Sequence, residues 1–502
     1  MKAKALAVVA LTAAFSCLAA RPNKPIVSSP SSPSSLVLIY TSCANGQIRS
    51  CNCTKFRFGG YGRELTVLKS IRSKSKDVLL IEGGDACGGT GVQASLKADV
   101  SAQALNILGY GAMVPGEEEL GVRGTSYIDR FGASTKAPSA DAADAESSDK
   151  SKPAVAQAAP QCVVVCANLF KEGEAKPIFP PYVVLKTSGG LRVAVIGLID
   201  ESLCSPWLGM SFAKVVKDPR DVLPAVVKEA RSKADLVVLV YHGVVDASSN
   251  LAKVTGIDLI LSTHPDGQDR IFPAKDSNTV DAPVDKLGDA VLVKSKTSTN
   301  WCVGRLDIAL SADRHIKSIK HNLLYLDRAY AEDPAMVTVY DAYNEKVKQA
   351  TLTSASEFKK QAEAMLAQRG LNITEMRRRL HKSAFATAAK CKDCHPEIHA
   401  IWSSSNHARA MATLEKTHQE YDPECIQCHT TGAVTRNGYA NAKETPELGN
   451  VQCEACHGPA LTHISAPAKG FGKAGEQTCR SCHTSERTPD FDYAVAWAKI
   501  MH

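Results

Sequence analysis

Four pentapeptides of the form Cys-x-x-Cys-His lie in the last quarter of this 502-residue chain. They are Cys391-Lys-Asp-Cys394-His395, Cys425-Ile-Gln-Cys428-His429, Cys453-Glu-Ala-Cys456-His457 and Cys479-Arg-Ser-Cys482-His483. Thiols at this spacing add to the two vinyl groups of a haem as thioethers, and the adjacent imidazole then lies under the ring to bind iron. A zinc ribbon or a thioredoxin-like dithiol uses similar cysteine spacing, but neither requires a His after every second Cys. The motifs therefore predict four covalently bound haem c groups, with His395, His429, His457 and His483 on the irons.

An electron-transfer haem usually takes a second axial donor. The spare histidines of this region are His381, His399, His407, His418, His463 and His502, with Met411 and Met501 as rival donors. His399 follows His395 by four residues, so on a helix the two share a face. It can reach a neighbouring haem but not the far side of its own. Of the 17 cysteines and 14 histidines, eight and ten fall between His381 and His502. The same stretch is poor in apolar core residues, and buried porphyrins would supply the missing hydrophobic mass.

The surroundings of these motifs are familiar. His395-Pro-Glu-Ile-His-Ala-Ile-Trp402, Asn406-His407-Ala-Arg, Asp422-Pro-Glu-Cys425, Cys456-His457-Gly-Pro with His463 beyond, and a tail closing on His502 resemble the cytochrome c-554 family of tetrahaem cytochromes, over residues 385–502. The resemblance implies closely stacked haems, mostly with two His ligands, passing single electrons to and from redox partner proteins. It marks His407, His463 and His502 as the strongest distal ligands. His399 and His418 compete for the remaining place, unless one haem is left five-coordinate.

Upstream, apolar runs at Leu36–Tyr40, Val78–Glu82, Cys162–Ala167, Arg192–Leu198, Leu236–Tyr241 and Asp258–Leu261 read as buried strands. Segments Gly62–Ser73, Ser101–Leu108 and Asp221–Ala234 read as helices. This alternation is that of a layered α/β domain. Residues 133–160, rich in Ala, Ser, Lys and Asp without periodicity, read as a flexible insertion. Polar residues gather at the strand ends: Glu82-Gly-Gly84-Asp85, Gly116-Glu117-Glu118-Glu119, Tyr241-His242-Gly and Ser262-Thr-His264-Pro-Asp266.

With Gly59-Gly60-Tyr-Gly-Arg63 and Asn106-Ile-Leu-Gly109-Tyr110, this order resembles the metallophosphatase domain of the 5′-nucleotidase family. There, two metal ions polarise a phosphate ester and a metal-bound hydroxide attacks phosphorus. The likeness implies ligands at an Asp-x-His pair, an Asp, an Asn-His pair, a His and a His-x-His pair. In this chain the first pair is Cys43 and Asn45, the Asn-His pair is Glu117 and Glu118, and Asp266 replaces the last His, while Asp85, His242 and His264 remain. Losing the imidazole at 118 also removes the group expected to support transition-state charge. Either the site is inactive and the domain is a scaffold, or Cys43, Asp85, Glu117, Glu118, His242, His264 and Asp266 hold a different divalent metal. The separate substrate-binding domain that follows this phosphatase in the family has no counterpart here.

Asp333 to Arg379 carries Met336, Val339, Tyr340 and Tyr343 at helical spacing, a stripe for helix–helix packing. Eight cysteines lie in the front part: Cys43, Cys51, Cys53, Cys87, Cys162, Cys166, Cys204 and Cys302. An even number in an oxidising compartment predicts disulfides. The first four also suit a metal site or a redox dithiol. The compartment follows from the start of the chain, where Met1-Lys-Ala-Lys and the apolar run Ala5–Ser16 have the form of an export signal. Cys17 permits lipidation and membrane attachment; cleavage after Ala19 or Ala20 is the other outcome. Residues 21–35, rich in Pro and Ser, form a tether.

A content of 44% hydrophobic and 22% charged residues excludes a disordered or fibrous chain, and the net charge of +7 is spread without a basic block, so no nucleic-acid partner is expected. The organisation expected is a signal peptide at 1–20, the tether, an α/β layered metallophosphoesterase-like domain at 36–326, a helical linker at 327–384 and a small, mostly α multihaem cytochrome domain at 385–502. An electron relay in the periplasm or on the outer cell surface is the function this organisation predicts. The alternatives are a haem-dependent oxidoreductase whose front domain binds substrate or metal, and an active phosphoesterase.

Overall fold

The computed structural model describes residues 35–502 except 51–57, 122–125, 132–160, 205–213, 246–249, 265–270, 272, 275–276, 298–299, 369–384, 434, 436, 485–486 and 489–490. The export signal with Cys17, the tether, the insertion, Cys51, Cys53, Asp266 and His381 lie outside the described residues.

The strands in chain order are β1 (Ser35–Thr41), β2 (Val78–Glu82), β3 (Ala112–Met113), β4 (Val163–Val164), β5 (Leu169–Lys171), β6 (Tyr182–Lys186), β7 (Arg192–Ile199), β8 (Lys214–Val216), β9 (Leu236–His242), β10 (Leu259–Ser262), β11 (Thr279–Asp281), β12 (Asp285–Leu287), β13 (Ala290–Lys294), β14 (Cys302–Leu310) and β15 (Ile316–Tyr325). They form a seven-stranded sheet, β11-β15-β14-β1-β2-β3-β4, a six-stranded sheet, β12-β13-β10-β9-β7-β6, and the small pair β5-β8. Strands β1 to β4 run parallel, as do β7, β9, β10 and β13.

The two large sheets pack face to face, and strand alternation decides which side chains meet. Leu36, Leu38 and Tyr40 of β1 share one apolar cluster with Val193 and Val195 of β7 and Val238 and Val240 of β9. The intervening residues face outward onto helices. Val37 and Ile39 pack with α1 (Tyr61–Lys74) and α2 (Gly91–Leu108), while Ala194, Ile196 and Leu198 pack with Leu223, Val227 and Ala230 on the helix Pro219–Lys233. The result is a helix–sheet–sheet–helix sandwich.

The expected strands and helices are all present, with shifted ends. The helix expected to start at Ser101 begins at Gly91: its first two turns are mostly half-buried and bury only the small Ala94 and Ala98, which give no strong apolar stripe. The expected linker helix runs Pro334–Gln368, and Met336, Val339, Tyr340, Tyr343 and Val347 bury its stripe against α1 and α2. The disulfide expectation is corrected among the described residues: Cys43, Cys87, Cys162, Cys166 and Cys204 are buried free thiols, and Cys302 is buried as well. Each fills core space as a small apolar side chain, which is the ordinary fate of a buried thiol. Among the described residues, no helix is long and apolar enough to cross a membrane.

Residues 385–502 form short helices between long connections, among them Ala388–Cys394, Pro396–Ser404, Pro423–His429 and Cys453–His457. This part docks on the front domain through Lys97 with Glu424 at 2.6 Å, Gln93 with Asp422, and the Asn344 amide donating to the Thr417 carbonyl at 3.0 Å.

Beneath the sheet edge lies a buried chain of polar groups. Thr41 Oγ1 donates to Glu82 and sits 2.7 Å from Tyr110 Oη, which donates to Glu64. One oxygen of each carboxyl is buried without a partner. Burial pushes the Glu82 carboxyl up to about 8 and Glu64 up to about 7, from 4.5. A carboxyl whose folded pKa lies above its unfolded one binds protons more tightly in the native state, so stability falls as pH rises from about 4.5 to 8. Glu82→Gln keeps the shape and removes the ionisation. It is expected to melt close to the parent at pH 5 but to be more stable at pH 8, by on the order of 2–4 kcal/mol. Thermal melts across that range check this; a Glu82→Gln protein as pH-sensitive as the parent would refute it.

Candidate functional site

Two groups of side chains carry chemistry. The first stands at the carboxyl ends of the parallel strands, where open α/β sheets place their ligands because successive loops diverge there. Asp85 lies in the loop after β2, Glu117 begins the short helix α3 (Glu117–Leu120) after β3, His242 ends β9, and His264 follows β10. One donor atom from each of these four lies within 4.8 Å of all the others. His242 Nε2 is 3.0 Å from Glu117 and 3.5 Å from Asp85, and His264 Nε2 is 3.6 Å from Glu117.

The loops hold this geometry at a conformational cost. Cys43, Asn45 and Asp85 adopt left-handed φ values of 52°, 50° and 56°, uncommon for residues other than glycine and concentrated at functional loops. Glycine is required where the backbone closes on the cluster: a Cβ on Gly116 would lie 2.1 Å from Asp85 Oδ1, and one on Gly84 2.4 Å from His242 Nδ1. His242 Nδ1–H donates to the Gly83 carbonyl at 2.6 Å, which fixes the tautomer and leaves Nε2 aimed at the carboxylates. Burial opposes the charge on Glu117, but its bonds to His242 and His264 outweigh that and hold its carboxyl well below the usual range. Burial likewise disfavours the His242 imidazolium, yet the charges of Asp85 and Glu117 raise it well above its ordinary value.

Of the expected front-domain ligands, the structure brings together Asp85, Glu117, His242 and His264. Cys43 is buried nearby with its thiol donating to the Thr263 carbonyl at 3.4 Å, and burial pushes that thiol far up. The Asn45 amide turns to the Cys43 carbonyl at 3.1 Å. Glu118 is not in the cluster; its backbone N–H holds Asp85 Oδ1 at 3.0 Å. These donors fit one ion with mixed imidazole and carboxylate ligands. Among the described residues, Asp266 not being one of them, neither Cys43 nor Asn45 completes a second set.

The second group is the Cys-x-x-Cys-His array. Three of its histidines face another imidazole: His395 and His463 have ring centroids 6.4 Å apart, His483 and His407 6.3 Å, and His457 and His502 5.7 Å. Two metal–imidazole bonds of about 2.0–2.1 Å each, plus half a ring on either side, span roughly 6 Å. The spacing fits an iron between each pair, so the residues present fit haem. Among the described residues, His429 makes no such ring contact; its Nδ1–H donates to the Ala410 carbonyl at 2.7 Å. His418 is exposed, and His399 lies against Trp402 at 5.2 Å. Burial lowers His407, His429 and His483, which favours the neutral, ligating imidazole.

Thiols of different motifs meet. Cys391 lies beside Cys453, Cys428 beside Cys482, and Cys456 near Cys479 and Cys482. The motifs are thus adjacent in the order first, third, fourth, second. A residue missed from sequence reasoning is Glu454, inside the third motif. Its buried carboxylate accepts from the backbone N–H groups of Ala386, Thr387 and Ala460. No local pattern distinguishes it from the solvent-facing residue usual between the two cysteines.

Comparison with known proteins finds both likenesses. Residues 390–458 match the family described as Cytochrome c554 and c-prime. Over 127 residues the chain is 29% identical to cytochrome c-554 of Nitrosomonas europaea, covering 22% of this chain and 54% of that protein. Over 245 residues it is 22% identical to a 5′-nucleotidase of Diplobatis ommata, covering 46% of this chain and 37% of the relative. The solved 5′-nucleotidase precursor of Thermus thermophilus aligns with a TM-score of 0.46 at 19% identity, covering 62% of this chain and 59% of that one. The chain spans about half the length of the first curated relative and less of the second.

Proposed function

We propose that this chain is an exported tetrahaem c-type cytochrome that relays electrons to partner proteins, with a front domain that binds rather than hydrolyses. The observation that carries it is the set of three facing imidazole pairs beside the thiol motifs. On this reading Cys391 and Cys394 hold a haem between His395 and His463, Cys453 and Cys456 one between His457 and His502, and Cys479 and Cys482 one between His483 and His407. Cys425 and Cys428 hold the fourth on His429, which among the described residues faces no second imidazole. Haem supplies one-electron chemistry, and the first–third–fourth–second order of the motifs keeps neighbouring groups close enough for a relay. A pyridine haemochrome assay on protein matured in a haem-competent host is expected to give four haems per chain; two or fewer would sink the reading.

His502 gives a sharper check. The helix Tyr493–Trp497 is capped by Asp492, and the His502 imidazole beyond it faces His457. Deleting His502 is expected to convert one iron from low to high spin and shift one potential upward, since loss of a strong donor favours the reduced state. Unchanged spectra and potentials would remove His502 from the ligand set.

The front domain is proposed to be inactive on 5′-nucleotides, because Cys43, Asn45 and Glu118 supply no second metal set and no imidazole at 118. Assay with Mg, Mn and Zn ions decides it; turnover abolished by Asp85→Ala would overturn it. The four-donor cluster favours a narrower role for this domain, holding one divalent ion on Asp85, Glu117, His242 and His264.

A further inference from the structure

The metal-type cluster and the second haem motif are not separate places. One cavity of about 2020 Å³ is lined by Asp85, Glu117 and His264 on one side and by Cys425, Cys428 and His429 on another. The two sides are also clamped. The Asp85 loop leads directly into α2, and Gln93 and Lys97 of α2 hold Asp422 and Glu424, the cap and the first turn of the helix Pro423–His429. The helix presenting His429 is therefore registered against the loop presenting Asp85. Among the described residues His429 makes no ring contact with a second imidazole, so the motif adjoining the cluster is also the one without a paired face.

We infer that the Asp85, Glu117, His242 and His264 cluster holds a redox-active first-row ion, iron or manganese, that exchanges single electrons with the haem on Cys425 and Cys428 across this shared cavity. The inference rests on the single-ion reading of the cluster. Two imidazoles and two carboxylates suit iron and manganese, and among the described residues they form a single four-donor set rather than the ion pair that hydrolysis in this type of domain uses. The step balances without another reactant: the bound ion goes from the divalent to the trivalent state, and the ferric haem accepts that electron and becomes ferrous.

The test uses the full-length haem-loaded protein, handled without oxygen. The parent, Glu117→Gln and His264→Gln are each given Fe(II), Mn(II) or Zn(II), and bound metal is counted. His264 is partly exposed, so its variant guards against misfolding at the buried Glu117. In the parent, one ion is expected to bind per chain. Bound Fe(II) should reduce one haem per chain in a fast phase seen in the haem absorbance, and bound Mn(II) should broaden the high-spin haem resonance. Both effects should vanish in the two variants and in parent pre-loaded with Zn(II). Stoichiometric metal with no fast phase and no broadening overturns the electronic link while the single-ion reading survives. No bound metal in the parent overturns both.

Discussion

Produced in a host that cannot attach haem, residues 385–502 are expected to lose tertiary structure while the front sandwich keeps its own. The reason lies in what each part buries. The front domain has three extended apolar clusters, one of them shared by both large sheets. Among the described residues the C-terminal part has one, made of Phe385, Met411, Leu414, Ile426, Tyr439 and Leu448 with two partly buried neighbours. Small domains with so little core depend on cross-links, metals or prosthetic groups. Its helices are also too short to persist alone, since Cys453–His457 and Glu476–Arg480 have five residues each. The facing imidazoles, and Phe471 and Phe491 stacked on His463 and His483 at 4.6 and 4.5 Å, are shaped around a flat partner. Limited proteolysis of haem-free protein should leave a fragment ending near the helix Pro334–Gln368, whereas the loaded protein should resist. The same outcome is expected in a haem-competent host when all eight thiols are changed from Cys to Ser. A haem-free protein whose C-terminal part stays protease-resistant would show that its own packing suffices.

What could be read in advance divides along the range of the interactions. The Cys-x-x-Cys-His motifs are local: five consecutive residues carry the whole pattern, so it is legible without the fold. The apolar runs at Val78–Glu82 and Arg192–Leu198 are legible for a related reason, since a strand buried on both faces carries no competing polar pattern. Cys302–Leu310 and Ile316–Tyr325, which make the long antiparallel hairpin beside β1, are not among the expected strands. The first alternates buried and half-buried positions in its outer half, a period-two signal that is present but lies beyond the chemistry-bearing strand ends. Facing imidazoles are long-range: His407 meets His483 across 76 positions of chain, and only folding sorts it from His418. The disulfide expectation fails for a complementary reason. Parity and compartment describe a population of cysteines, whereas pairing needs adjacent Cβ atoms, which sequence spacing does not supply.

Glu119 is the clearest case of a role invisible in sequence, and its removal is the second large effect expected. In the run Glu117-Glu118-Glu119 the three residues look alike, and the resemblance to nucleotidases singles out only the first two positions. In the fold Glu119 is fully buried and faces only donors: Asp85 N–H at 2.8 Å, Gly116 N–H at 2.9 Å, Cys87 N–H at 2.9 Å and the Cys87 thiol at 3.1 Å. Burial and the charge of Asp85 push its carboxyl upward, but a site built from four donors selects the ionised acceptor. One side chain thereby fixes the loop that carries Asp85 to the loop that carries Glu117. Glu119→Ala leaves three buried backbone N–H groups without this acceptor, at about 1–3 kcal/mol each, so a loss of about 3–9 kcal/mol in stability is expected. Glu119→Gln keeps the volume but swaps one acceptor oxygen for a donor, and should fall between the parent and Glu119→Ala. Exposed Glu229→Ala, which loses a surface pairing with Lys233, serves as the control and should change stability by no more than about 1 kcal/mol. Urea unfolding of the haem-loaded proteins, followed by far-UV circular dichroism, measures all three. Metal binding by the Asp85 cluster should disappear in Glu119→Ala even under conditions where the protein remains folded. If Glu119→Ala is as stable as the control variant, the two loops are held by something other than this carboxylate.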